Sequence, residues 1–269
     1  MLPRVDQRLE AATVVSKTPR KRIRRQISFA ALTVGLTVIY ALPAMAGPPY
    51  QSDDPEPTDY GHYEIYAFNR GARSKGDLSG ASGIDFNYGA APNLQLTATL
   101  PVGFDFPSNG PTAFGLSNIE LAAKYRFLHQ DTFGFDVAVF PRVFLPSGSK
   151  SVGDRQTSLL LPIWIQKDWG KWSAFGGGGC QISAAGRSHD FCMYGGTLTR
   201  QVLPKLQLGI EVFHQTADGV GTPATTSAGI GAKFDLNDNI HLLGYAAKGI
   251  QNARIANQYS WYAAVLFTF

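Results

Sequence analysis

The last twelve residues constrain the chain more than any other stretch. Reading back by twos from the end gives Phe269, Phe267, Val265, Ala263 and Trp261, all apolar, while the interleaved set Thr268, Leu266, Ala264, Tyr262 and Ser260 is mixed. Period two marks a strand with one apolar face. Chain ends usually fray, so an apolar strand at the end needs a partner. A sheet closed on itself in lipid supplies one, because its last strand pairs with its first and leaves no edge in hydrocarbon. The competing reading of this stretch is a core strand of a soluble β-sandwich.

The other end points the same way. Arg20-Lys21-Arg22-Ile23-Arg24-Arg25 is a basic run, Ile27 to Leu42 is apolar and uncharged, and Ala44-Met45-Ala46 follows. These are the three parts of a secretory signal. The apolar run is short for a membrane helix of about 20 residues, and the expectation is cleavage after Ala46. A single-span anchor is the alternative. Eight of the 24 Lys/Arg and two of the 20 Asp/Glu fall in residues 1–46, so the remainder carries 16 basic against 18 acidic side chains. The basic balance therefore belongs to the leader and does not indicate a nucleic-acid partner.

Residues 47–61 hold four prolines and four acids. Such a segment does not form a regular ladder and reads as a periplasmic lead-in, with folding into the barrel mouth as an option. Metal binding by Asp53, Asp54 and Glu56 is a sharper alternative to simple solvation. Twelve strands are expected over 62–70, 82–90, 93–105, 117–127, 132–145, 156–167, 171–182, 190–202, 205–215, 226–236, 239–248 and 258–269. Leu206, Leu208, Ile210 and Val212 alternate with Gln207, Gly209 and Glu211, and Ile119, Leu121, Ala123 and Tyr125 with Glu120, Ala122, Lys124 and Arg126. Alternation alone fits a sandwich or a barrel. The connections decide: tight turns such as Ala91-Pro92, Leu203-Pro204 and Asn237-Asp238 take turns with longer stretches, among them Gly71 to Ala81 and Phe106 to Leu116. Short turns on one side and long loops on the other are the asymmetry of an outer-membrane barrel. Phe133, Phe135, Trp169, Trp172, Phe234, Phe267 and Phe269 fall near the short-turn ends, where an interfacial girdle belongs. The fold expected is all-β, a single antiparallel up-and-down transmembrane β-barrel of about twelve strands over 62–269, in the bacterial outer membrane.

With the apolar faces toward lipid, Asp85, Glu120, Lys124, Arg126, Asp136, Arg142, Glu211 and Lys233 point inward as candidate pore-lining residues. Charges in such a wall must pair or be hydrated, which fits either a wet, narrow channel or a plugged barrel held by salt bridges. Cys180 and Cys192 sit equally far from a hairpin tip near Gly186, so a cross-strand disulfide is possible in an oxidising compartment. No nucleophile elbow, zinc-protease motif, Cys-x-x-Cys or phosphate loop occurs, and no catalytic residue, metal or cofactor is expected. Gly176 to Gly179 reads as a place where bulky side chains or a neighbouring strand come close. Lipid-face catalysis by His214 with Ser227 across a hairpin is the weakest alternative.

Several strings resemble a known family: Gly47-Pro48-Pro49 with Asp53-Asp54-Pro55-Glu56-Pro57, Leu145-Pro146-Ser147-Gly148, Leu161 to Gly170 leading into Gly176 to Gly179, and Glu211 to Asp218. Together they resemble the outer-membrane transporters grouped as "meta-pathway of phenol degradation" proteins, over essentially all of the chain after the leader. The resemblance implies an outer-membrane barrel suspected of passing aromatic or other hydrophobic compounds, and it supplies no ligand residues. The terminal Phe267 and Phe269 also resemble the assembly signal of bacterial outer-membrane proteins. The expected partners are outer-membrane lipid, the barrel-assembly machinery and a small-molecule solute. The function expected is passive passage of a small, amphipathic or aromatic solute. The alternatives are a non-conducting structural or surface-binding barrel, and a lipid-modifying enzyme.

Overall fold

The structure is a computed structural model, described over residues 48–153, 156–184, 190–219 and 221–269. The expected leader and the expected hairpin tip near Gly186 lie outside the described residues. Twelve strands succeed one another as antiparallel neighbours. They are β1 (Tyr63–Ser74), β2 (Asp77–Ala91), β3 (Leu94–Phe106), β4 in two pieces (Ala113–Leu116 and Glu120–Leu128), β5 in two pieces (Asp136–Val139 and Arg142–Phe144), β6 (Ser158–Trp169), β7 (Trp172–Ser183), β8 (Phe191–Leu203), β9 (Leu206–Gln215), β10 (Thr225–Asp235), β11 (Ile240–Gln251) and β12 (Tyr259–Thr268). Both pieces of β4 pair with β3, and both pieces of β5 pair with β4 and β6, so each pair counts as one strand. Strand β5 breaks at Phe140-Pro141, where Pro141 has no N–H to give to a ladder.

The sheet closes. Strand β12 pairs with β1 over ten register partners, from Glu64 with Thr268 to Arg73 with Tyr259. Tyr63 and Phe269 exchange backbone hydrogen bonds of 3.1 and 3.0 Å at the foot of the seam. Every strand therefore has two neighbours, as a sheet in lipid requires.

The two faces are inverted relative to a water-soluble protein. Ile210 is 59% and Ile230 68% exposed on the outside, while Lys124 is 4% and Glu211 2% exposed on the inside. Burying charges while exposing rows of isoleucine costs free energy in water. It is the favourable arrangement when the outer solvent is hydrocarbon.

One expected connection is corrected. Gly71 to Ala81 is not a long loop: β1 and β2 run on to a two-residue hairpin at Lys75-Gly76, both at positive φ (50° and 95°), as a tight hairpin turn requires. The small residues there are wall positions. A Cβ on Gly80 would run into the Arg70 carbonyl and the Phe104 ring. The remaining long connections share one end of the barrel with this hairpin, and the short turns share the other.

Candidate functional site

The lead-in is inside the barrel. From Pro48 to Thr58 the chain lies against the inward faces of β3, β4, β5, β9, β10 and β11, and Ser52, Asp54 and Pro55 are fully buried. Pro55 and Pro57 keep this stretch extended and remove two N–H groups that would otherwise need partners.

Four sets of contacts hold it. At its head the Tyr50 ring lies over Gly209 and Gly231, where a Cβ on either glycine would strike it, and its edge meets Phe175 and Tyr245 at centroid distances of 5.8 and 5.7 Å. Next, the backbone N–H groups of Gln51 and Ser52 both donate to the Glu211 carboxylate, at 3.2 and 2.6 Å, and the Gln51 amide donates to Ser227 Oγ at 3.3 Å. In the middle, Asp53 accepts from Lys124 Nζ at 2.9 Å and from Arg142 at 2.8 Å. Arg142 also lies 3.4 Å from Glu120, and Lys124 donates to the Glu56 carbonyl at 3.3 Å. At the base, Thr58 donates its N–H and hydroxyl to Gln95, which donates in turn to Asn87 and Thr97.

These contacts split neighbouring carboxyls. Burial alone would push Asp53 up, but Lys124 and Arg142 outweigh it and hold the carboxyl below its usual range. Burial pushes Asp54 up to about 8, against the opposing pull of Lys124, and Glu56 up to about 7. The charge that a metal ion would bring to Asp53 is supplied by protein cations, and among the described residues no cluster of three or more His, Cys, Asp or Glu is arranged to hold a metal.

Of the eight candidate inward residues, Glu120, Lys124, Arg142 and Glu211 thus gather around the docked segment. Arg126 and Asp136 pair with each other at 3.7 Å near the short turns. Asp85 accepts from Thr99, and Lys233 stands apart at the short-turn end. Beside the segment a cavity of about 1280 Å³ remains. Its lining includes Asp238, Asn239 and Phe269 from the short-turn end and Asp218, Thr222 and Asn257 from the long-loop end. The segment forms part of one wall. Tyr66, Phe68, Tyr262, Leu243 and Leu266, on β1, β11 and β12, form the opposite wall.

A family model described as "Putative MetA-pathway of phenol degradation" matches residues 65–254. The chain belongs to that family. Its fold is similar to a crystal structure of an outer membrane channel from Pseudomonas putida F1, with a TM-score of 0.68 and 14% identity over 80% of this chain and 98% of that one. It is also similar to the KdgM porin, with a TM-score of 0.53 and 12% identity over 77% of this chain and 99% of the porin. At these identities the likeness is one of fold. No curated protein matches the sequence.

Three further features of this phenol-degradation family member bear on chemistry. Cys180 and Cys192 are register partners on β7 and β8 and are joined as a disulfide. His214 stacks on Tyr194 and its Nδ1 lies 2.8 Å from Thr226 Oγ1, whereas Ser227 faces inward to Gln51. The two residues of the lipid-face alternative are therefore on opposite sides of the wall. A cluster that the sequence reading missed joins Asp235, His241 and Thr268, with His241 Nδ1 2.6 Å from Asp235 and Nε2 3.4 Å from Thr268 Oγ1. It has the order of a hydrolytic relay, yet the Thr268 hydroxyl donates to the Asp238 carbonyl at 3.2 Å. A hydroxyl whose proton points away from the imidazole is not activated by it. The cluster ties β10, β11 and β12 together beside the seam.

Proposed function

We propose that this protein is a bacterial outer-membrane channel that passively admits a small, amphipathic or aromatic solute, with residues 48–58 narrowing its lumen. The observation that carries the reading is the cavity beside the docked segment, whose lining draws on residues from both ends of the barrel. A twelve-strand barrel lies between filled eight-strand barrels and open porins, so a solute must pass between the segment and the wall. That path is two-sided. Apolar and aromatic side chains of β1, β11 and β12 would take the hydrophobic part of a solute, and the polar groups of the segment would keep the other side wet. The aromatic preference is also in keeping with the description of the family. Reaching the membrane would depend on the leader at 1–46, and insertion on recognition of Phe267 and Phe269 by the barrel-assembly machinery.

The second reading is a non-conducting barrel, favoured by the full burial of Ser52, Asp54 and Pro55 across the lumen. Planar-bilayer recording separates the two. The channel reading expects discrete conductance steps that grow when Lys124 and Arg142 are both replaced by Met. A silent bilayer with both proteins, at protein levels that insert a control porin, would leave the structural reading in place.

A further inference from the structure

Above the docked segment, toward the long loops, the cavity contains a cation, Arg70, that no carboxylate among the described residues pairs. Arg70 lies on β1 four residues before the Ser74–Asp77 hairpin and opens into the cavity. Among the described residues no carboxylate comes within 4.0 Å of its guanidinium and none accepts a hydrogen bond from it. The other cavity cations differ. Lys124 and Arg142 are taken by Asp53, and Lys233 is at the far end. On β2 the two acids four residues either side of Ala81, the register partner of Arg70, are Asp77, which accepts from Ser108, and Asp85, which accepts from Thr99.

The surroundings of Arg70 are aromatic. Its guanidinium carbon is 5.5 Å from the centroid of the Phe68 ring, within the range of a cation–π contact. The Phe68 and Tyr262 rings are parallel to within 7°, with centroids 6.3 Å apart, and Tyr262 is the register partner of Arg70 across the seam. Phe144, Leu160, Phe191 and Phe213 line the same half of the cavity. A guanidinium fork is shaped to take a carboxylate with two parallel N–H bonds. Phe68 is buried between Arg70 and Tyr262, so the half-buried Tyr262 is the ring of this pair that a planar aromatic group meets.

We propose that Arg70 and Tyr262, backed by the buried Phe68, form a binding subsite for a small aromatic carboxylate, the carboxylate on Arg70 and the ring against Tyr262. The subsite rests on the channel reading only for its purpose, since binding there can be measured without conduction. It also orders the path. A solute arriving from the long-loop side meets Arg70 before it meets the acidic segment, so an anion is held above the docked residues.

Isothermal titration of the folded barrel in detergent tests this, with benzoate as the ligand and with acetate, phenol and benzylammonium as probes lacking the ring, the carboxylate or the negative charge. Benzoate is expected to bind more tightly than all three. Arg70→Gln should weaken benzoate about thirty-fold, the size of lost charge-assisted hydrogen bonds, and leave phenol unchanged. Tyr262→Ala should weaken both aromatic ligands about five-fold. Retained heat-modifiable migration on gels shows that each variant is folded, and Arg70→Lys, which keeps the charge and loses the fork, should be intermediate. Equal binding of benzoate and acetate, tighter binding of benzylammonium, or benzoate affinity untouched in Arg70→Gln would each overturn the subsite and leave Arg70 a hydrated lumen charge. Bilayer recording on the same preparation separates the two proposals. Conductance without benzoate binding refutes the subsite alone, and benzoate binding without conductance refutes the channel alone.

Discussion

Replacing Lys124 with Met should release the docked segment while leaving the barrel closed. Lys124 Nζ lies 2.9 Å from Asp53 and 3.5 Å from Asp54, and it donates to the Glu56 carbonyl. All three partners are on the segment, so the loss falls on docking and not on the strand ladders. Removing one partner of a buried ion pair costs about 3–5 kcal/mol. Arg142 stays 2.8 Å from Asp53, so the lower end, about 3 kcal/mol, applies. At about 1.4 kcal/mol per power of ten, the undocked population rises about a hundredfold. Ser52→Cys makes this readable, because Ser52 is fully buried and the native cysteines are joined to each other. Maleimide labelling of the introduced thiol should be slow with Lys124 present and about a hundredfold faster in Lys124→Met, provided that reaction follows undocking. Adding Asp53→Asn removes the carboxylate charge left in excess, since Arg142 keeps Glu120 at 3.4 Å, and should bring the rate back to within about tenfold of the starting value. Equal labelling rates with Lys and Met at 124 would refute the reasoning, as would an introduced thiol that reacts from the outset as fast as a free peptide.

Three other outcomes follow from the same geometry. Gly231→Val places a side chain in the Tyr50 ring, and overpacking of about 2 kcal/mol should speed labelling of the Ser52→Cys thiol at least about tenfold. Docking should weaken as pH rises: Asp54 and Glu56 keep protons up to about 8 and about 7 when docked, so their contribution is full below about 4 and lost as pH climbs through those values. Asp53, held low when docked, works in the opposite sense and loses its contribution only as pH falls below the ordinary carboxylate range. Conductance recorded at about pH 5.5 and about pH 8.5 should accordingly show longer open times at the higher value. Ile210→Arg, on the outer face, should cost about 2–4 kcal/mol in urea titrations of the barrel folded into lipid vesicles.

The wall is legible in the sequence and its contents are not. Period two survives in the covalent order, so Leu206 to Val212 and Ile119 to Arg126 announce both face and solvent once the turn rhythm is added. The docked segment shows there only as an option, because its partners Gln95, Lys124, Arg142 and Glu211 are far away in sequence, and a Pro-rich acidic stretch reads locally as solvated. Gly71 to Ala81 reads as a loop because small residues weaken the strand signal. In the structure they thin the wall against Phe104 and Trp261. Arg70 escapes the sequence reading for a related reason. Strand β1 points Tyr66 and Phe68 inward, so a rule that sends apolar residues to lipid gives the wrong face there. The signal is available in the register with the last strand, where Phe267 opposes Ile65 and fixes which side of β1 is outside.

The arrangement of both faces requires hydrocarbon to meet the outer rows. A nitroxide at Ile230→Cys, compared with one at Lys233→Cys in the same bilayers, tests this directly by collision with oxygen and with a water-soluble nickel chelate. Ile230 is outward and 68% exposed, whereas Lys233 lines the cavity. The account predicts high oxygen and low nickel accessibility at 230 and the reverse at 233. Nickel reaching 230 as readily as 233 would contradict it.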